Sequence, residues 1–409
     1  MAVSVLNPEP SGVALEKPQI RYDYLDGLRG IAALFVVVHH AWLQTWPVLM
    51  YPVWPYGMVW RLTGWLLYGH FAVTFFIAVS GFSLMIPVIR SGKLRGGAWG
   101  FYKGRIRRIL PPYYAALVIS IVIAQYFLEH VTNSLYDASL PVTYRGVVTH
   151  FLLIHNWFVI DRAQINGPMW SIAVECQIYL LFPLLIWIWK KKGISVAFLA
   201  ATVLSAVLLA TVPASFLDGV NPHYLFIFSL GMCASMASFS GSSSVPGDKR
   251  TKRVKILKIV AVVFVPIFFA FMHKVHLSYR IVADLLFGVI GFCVLVISSL
   301  DERSVLRRIA SWKPLVWVGG FSYSLYLIHF PLQQLIWQDV VRRWNFTKPV
   351  TFLIMAGPVS ILLVLLSYVF HRLFERPFMP KRSEKRTQEP NEHAPAGLPL
   401  RVYRPARSK

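Results

Sequence analysis

Ten apolar stretches, each near the length needed to cross a bilayer, constrain this chain more than any other feature. They fall at about 28–47, 65–89, 108–128, 169–189, 194–212, 221–239, 256–273, 280–299, 316–337 and 350–373. A spanning helix needs about 20 consecutive apolar residues, because backbone polar groups in lipid must be satisfied within the segment. Charged residues make up 14% of the 409 positions, against roughly 25% in a soluble domain. The expected fold class is therefore all-α, a polytopic membrane helix bundle of about ten spans.

The formal charge of +23 comes from 41 Lys and Arg against 18 Asp and Glu. No compact basic domain carries that excess, so nucleic-acid binding is not expected. The basic residues instead cluster in alternate connections, as the positive-inside rule requires of cytoplasmic loops. The stretch GVVTHFLLIHNWF (146–158) is short and polar. Counting it as a span would send the later basic connections, KRTKRVK among them, to the outside. It is read as a re-entrant or interfacial helix, which leaves both termini cytoplasmic. Residues 1–20 are expected to be a disordered segment without signal-peptide character. Residues 21–380 form the membrane domain, the run 241–255 is a cytoplasmic linker, and 381–409 are a basic disordered tail. The three cysteines, Cys176, Cys233 and Cys293, form no CxxC, so neither a disulfide framework nor a metal site is expected. No GxGxxG, P-loop, HExxH or GxSxG motif occurs.

Polar residues inside apolar stretches are costly and are functional hypotheses by default. In LDGLRGIAALFVVVHH (25–40), Arg29 and His40 are eleven residues apart. Eleven helical steps end about 20° past three full turns, so both side chains share a face, about 16 Å apart along the axis. His39 lies about 80° away. A neutral imidazole at mid-depth suits a general base, and Arg29 at the mouth suits an anionic group such as a phosphate. The structural alternative is histidines bonded to neighbouring helices and a snorkelling arginine.

Further along, FFIAVSGF (75–82) carries Ser80 and Gly81, the glycine suiting close helix packing. RIRRILPPYY (105–114) places Arg105 and Arg108 on one helix face, either as a positive-inside belt or as a site for a phosphorylated donor. In GPMWSIAVECQIYLLFPLL (167–185), Ser171, Glu175 and Tyr179 share a face. Glu175 pairs with an arginine, or else orients the histidine or a substrate hydroxyl. FSYSLYLIHFPL (321–332) contributes His329, read as a supporting residue, and Glu375 of FERPF (374–378) is positioned to offset nearby arginines. His155, in the HNW of 146–158, is a weaker candidate.

These six segments, in this order over roughly residues 20–380, resemble the acyltransferase-3 family of integral-membrane O-acyltransferases. The resemblance implies that the Arg29–His40 pair is essential, that Arg105 and Arg108 match an Arg-x-x-Arg pair, and that Glu175 matches the acid of a WSxxxE motif. The family often has a second acid after that glutamate; here Cys176 stands instead. The resemblance also implies acyl transfer, with acetyl the first choice, from cytoplasmic acyl-CoA to a hydroxyl of a carbohydrate or glycoside such as a cell-surface polysaccharide. Acyl-CoA is the expected co-substrate, no bound cofactor or metal is expected, and the expected setting is the cell (inner or plasma) membrane. With only a short tail after the membrane domain, a stand-alone enzyme is expected. The alternatives are a proton-coupled transporter and acylation of a non-carbohydrate small molecule such as a macrolide.

Overall fold

The computed structural model describes residues 22–51, 53–240, 247–272 and 277–379, and among these it is helical with no strand. In chain order the helices are α1 (Asp23–Thr45), α2 (Gly57–Thr63), α3 (His70–Ser91), α4 (Gly97–Tyr126), α5 (Tyr144–Phe151), α6 (Trp170–Lys192), α7 (Ile194–Thr211), α8 (Ala214–Val220), α9 (His223–Phe239), α10 (Gly247–Met272), α11 (Leu277–Leu300), α12 (Val305–Ala310), α13 (Lys313–Gly319), α14 (Ser322–Ile336), α15 (Lys348–Ile354) and α16 (Ser360–Phe370).

Each of the ten apolar stretches centres on a helix, but the count of ten spans is not reproduced. Seven helices among the described residues are long and apolar enough to cross a membrane, or up to eight if one bent pair is a single span. The remainder have physical reasons. Arg29, His39, His40 and Gln44 dilute the apolar character of α1. Helix α9 has 17 residues. Helices α13 and α14 meet at a 76° bend around Gly320 and Phe321. The segment 146–158 holds most of the eight-residue α5 and a single turn at His155–Trp157, too short to span. The linker reading of 241–255 needs correction, because helix α10 begins at Gly247 and the basic run forms its first turns. Residues 241–246 lie outside the described residues, as do the expected disordered segments at 1–20 and 381–409.

Glycines set how closely the helices approach. A Cβ on Gly81 of α3 would stand 2.0 Å from Phe228 O of α9, and one on Gly231 of α9 would stand 2.0 Å from Ala78 O of α3. The crossing is thus a reciprocal pair of notches, the small-residue contact that membrane helices use where lipid supplies no hydrophobic drive. The N-terminal half of α1 is seated the same way. Cβ atoms on Gly27, Gly30 and Gly319 would fall 1.6, 2.2 and 1.7 Å from Ala310 O, Leu315 O and Asp26 O. Backbone held against backbone leaves α1, with Arg29 and His40, little freedom to shift or rotate.

Candidate active site

His40 sits in the C-terminal half of α1, on the wall of a cavity of about 260 Å³ that His39, His70, Trp170, Tyr326 and Phe330 also line. That volume lies just below the range of about 300–1,000 Å³ usual for small-molecule sites. The His40 and Phe330 rings meet edge to face at 5.1 Å. His40 Nδ1 lies 3.0 Å from Val36 O and 3.1 Å from His329 Nε2.

The partners assign the protons. His329 Nδ1 faces two carbonyl oxygens, Tyr326 O at 2.8 Å and Leu325 O at 3.1 Å. Carbonyls only accept, so Nδ1 carries the hydrogen, and the neutral ring presents a lone pair at Nε2. His40 Nδ1 then faces two acceptors, Val36 O and that lone pair, and must itself be the donor. The unprotonated nitrogen of His40 is therefore Nε2. A histidine whose second nitrogen donates to a fixed acceptor is oriented for base catalysis, with its imidazolium form stabilised by the same bond. His39 is set apart, as the helical phase requires: its Nδ1 donates to Leu66 O at 2.6 Å. A Cβ on Gly69 would fall 2.1 Å from the His39 ring.

His329 Nε2 thus accepts the hydrogen that fixes the His40 ring, which makes a positioning role testable. His329→Phe should lower turnover about 10- to 100-fold, the worth of one buried hydrogen bond. His329→Gln, whose amide oxygen can accept from His40 Nδ1, should recover part of it. If Phe and Gln variants turn over equally, the orienting role is wrong.

The other candidates gather toward the opposite end of the bundle. Arg29 Nη2 donates to Ser83 Oγ at 2.7 Å, and Nη1 pairs with Asp26 at 3.2 Å. Arg105 and Arg108 are half-buried while Lys103 and Arg107 on the same helix are exposed, the facial split expected from their spacing. The Arg105 guanidinium lies 6.0 Å from the centre of the Tyr179 ring. The Tyr179 hydroxyl donates to Glu175 Oε1 and shares a hydrogen bond with Ser80 Oγ. Glu175 accordingly belongs to the arginine cluster, and its bonded partner is Tyr179 rather than the histidine.

Between the two ends stands a ladder of polar side chains, hydrogen-bonded in groups that follow one another at one-turn steps along the helices. Ser83 and Ser80 are one turn apart on α3, and Glu175 and Ser171 one turn apart on α6. Ser171 Oγ meets Tyr326 Oη at 2.7 Å, and Tyr326 Oη donates to Pro168 O at 3.0 Å. The Tyr326 and His329 rings, one turn apart on α14, are centred 5.8 Å from each other. Pro331 makes room for one more tie. It lacks an N–H, so Leu327 O loses its partner within α14 and instead accepts from Asn166 Nδ2 at 2.8 Å. That bond fixes the turn leading into α6.

Ser80, Ser171, Tyr179 and His329 thus all join the ladder. Tyr326, a polar residue of the same span as His329, and Ser83, not among the sequence candidates, join it as well, each three residues from a named candidate, His329 and Ser80, on the same helix face. His155 is elsewhere, stacked on His150 at 3.8 Å and fully buried. Glu375 does not offset arginines. It accepts from Ser324 Oγ and pairs with His371 Nδ1 at 2.8 Å, tying α14 to the end of the last helix. Among the described residues no cluster of His, Cys, Asp or Glu could hold a metal ion.

The site is a histidine held in one orientation on the wall of a cavity within a helix bundle, with an arginine cluster toward the other end. The family profile described as an acyltransferase domain matches residues 22–372, and the chain belongs to that acyltransferase-3 family. Its seven or eight candidate spans among the described residues make it a multi-pass membrane protein. Among curated proteins, it is 23% identical over 325 residues to the peptidoglycan O-acetyltransferase OatA of Listeria monocytogenes, covering 75% of this chain and 49% of that protein. It is 24% identical over 355 residues to the O-acetyltransferase OatA of Staphylococcus aureus, covering 75% and 50%. The chain thus spans about half the length of these relatives. No solved structure matches it.

Proposed function

We propose that this chain transfers an acyl group, acetyl in the first instance, from cytoplasmic acyl-CoA to a hydroxyl of a cell-surface carbohydrate such as peptidoglycan. The observation that carries the reading is the ladder from Arg29 to His40. The positive-inside rule favours the arginine end as cytoplasmic and the cavity end as external. Arg29, Arg105 and Arg108 suit the phosphates of the donor, for which guanidinium is the matching group. An extended pantetheine arm is of a length comparable to the depth of about 16 Å from Arg29 to His40. The acceptor enters the cavity from the other side. The peptidoglycan O-acetyltransferases among its relatives support an O-acetyl group and a peptidoglycan acceptor.

In this reading His40 Nε2 takes the proton of the acceptor hydroxyl as its oxygen attacks the thioester carbonyl carbon. The carbon–sulfur bond breaks, and Nε2 returns the proton to the departing thiolate. The products are the O-acyl ester and free CoA thiol, with one proton moved in and out of His40. Glu175, bonded to Tyr179 under the Arg105 guanidinium, holds the donor side of the ladder in register.

Arg29→Ala should raise the apparent KM for acetyl-CoA about 10- to 100-fold, the worth of a charge-assisted contact, with a much smaller change in kcat. The measurement is acetyl transfer in membranes at varied acetyl-CoA. A KM change confined to the acceptor would remove Arg29 from the donor site.

A further inference from the structure

A second cavity, of about 340 Å³, opens at the His40 end of the bundle. Its wall starts at Gln44, one turn beyond His40 on α1. Two connecting segments divide it from the first cavity and contribute to both. Leu49 lines the first and Tyr51 the second; Leu135 lines the first and Asn133 the second. The Tyr51 hydroxyl donates to Asp137 Oδ2 at 2.6 Å and clasps the two segments together.

The chemistry of the second cavity is distinct. Arg342 and Lys348 line it, and among the described lining residues there is no carboxylate. Lys348 Nζ donates to Thr45 O at 3.3 Å, and no carboxylate among the described residues stands within 4.0 Å of it. The Arg342 guanidinium lies 5.4 Å from the centre of the Trp337 ring, which also lines the cavity. It grips Glu129 with both Nη atoms, Nη1 at 3.0 Å from Oε2, although Glu129 is 48% exposed. The fork of Arg342 is thus already set in the geometry that holds a carboxylate, and a bound anion would compete with the half-exposed Glu129 for it. Aromatic rings and amide side chains around two cations are what a charged sugar would need.

We infer that this cavity is a second acceptor subsite, binding the anionic group, carboxylate or phosphate, of a glycan whose neighbouring hydroxyl is presented to His40. The inference rests on the carbohydrate-acceptor reading above and specifies its charge. An acidic sugar held there sets the register of the chain, so the hydroxyl entering the first cavity is chosen by its distance from the charge.

The test is calorimetric titration of the purified full chain in lipid nanodiscs, without acyl donor. The probes are N-acetylmuramic acid, N-acetylglucosamine 6-phosphate and neutral N-acetylglucosamine. An acidic sugar should bind about tenfold more tightly than the neutral one at low salt, with the preference shrinking as added salt screens it. The ranking of the two acids identifies which anion the site takes. Lys348→Gln should reduce the preference, Lys348→Arg should keep it, and Glu129→Gln, by freeing Arg342, should increase it. Equal binding of acidic and neutral sugars to the wild type overturns the inference while leaving the carbohydrate reading intact. A preference that survives Lys348→Gln combined with Arg342→Gln does the same. Absence of binding by any of the three sugars counts against both. Because no donor is present, a failure of the acyl-CoA assignment does not affect the result.

Discussion

His40→Ala should lower the rate of acetyl transfer about 10²- to 10⁴-fold, the contribution of a positioned general base. The loss should fall on kcat, because the cationic cluster around Arg29 is left intact. The geometry gives the prediction its specificity. His40 Nδ1 is committed as a donor to Val36 O and His329 Nε2, so Nε2 is the nitrogen with a free lone pair. His39→Ala serves as the comparison, since its Nδ1 is tied to Leu66 O, and it should lose much less. The measurement is label transfer from acetyl-CoA to polysaccharide in membranes holding matched amounts of each variant. Transfer by His40→Ala at the wild-type rate would remove the base from the mechanism.

Gly81→Val should abolish the fold rather than the chemistry. A Cβ at this position falls 2.0 Å from Phe228 O, and a backbone oxygen inside a helix cannot rotate away as a side chain can. Overpacking of this kind costs about 1–3 kcal/mol where neighbours can relax. Here α3 and α9 would have to separate along their crossing, so the expected loss is at or above the top of that range. The reciprocal contact at Gly231 makes Gly231→Val equally severe. Gly104→Ala is the control. Nothing lies within 4 Å of its Cβ, and an alanine there favours the helix by up to about 1 kcal/mol. Size-exclusion profiles and thermal unfolding in detergent distinguish the two. A monodisperse Gly81→Val protein with unchanged Tm would show that the crossing tolerates separation.

Local features were legible in the sequence. The phase of Arg29 and His40 follows from the repeat of a single helix, as does the split of Arg105 and Arg108 from Lys103 and Arg107. The apolar stretches were legible because lipid, as solvent, imposes length and composition on each segment separately. The exact number of spans was not, because it turns on where a chain bends, as between α13 and α14. Contacts between helices were not legible either. His40 and His329 are 289 positions apart, and their meeting depends on glycine notches that set how deeply each helix seats. Glu175 could be recognised as needing a partner, but not that the partner would be Tyr179, one turn along its own helix. Glu375 drew attention to nearby arginines in the sequence; in space its neighbours are a serine and a histidine.

The pair of imidazoles has a consequence for the membrane itself. Two hydrogen-bonded histidines within a bilayer could form part of a wire through which protons cross and dissipate the gradient. Here the wire stops. The hydrogen on His329 Nδ1 rests against Tyr326 O and Leu325 O, and amide carbonyls are too weakly basic to take it onward. A proton collected at His40 therefore does not travel on through His329, and it leaves by Nε2, the route that the proposed transfer to the departing thiolate uses. His40 thus has a fixed partner in His329 that orients its ring without opening a second exit for the proton.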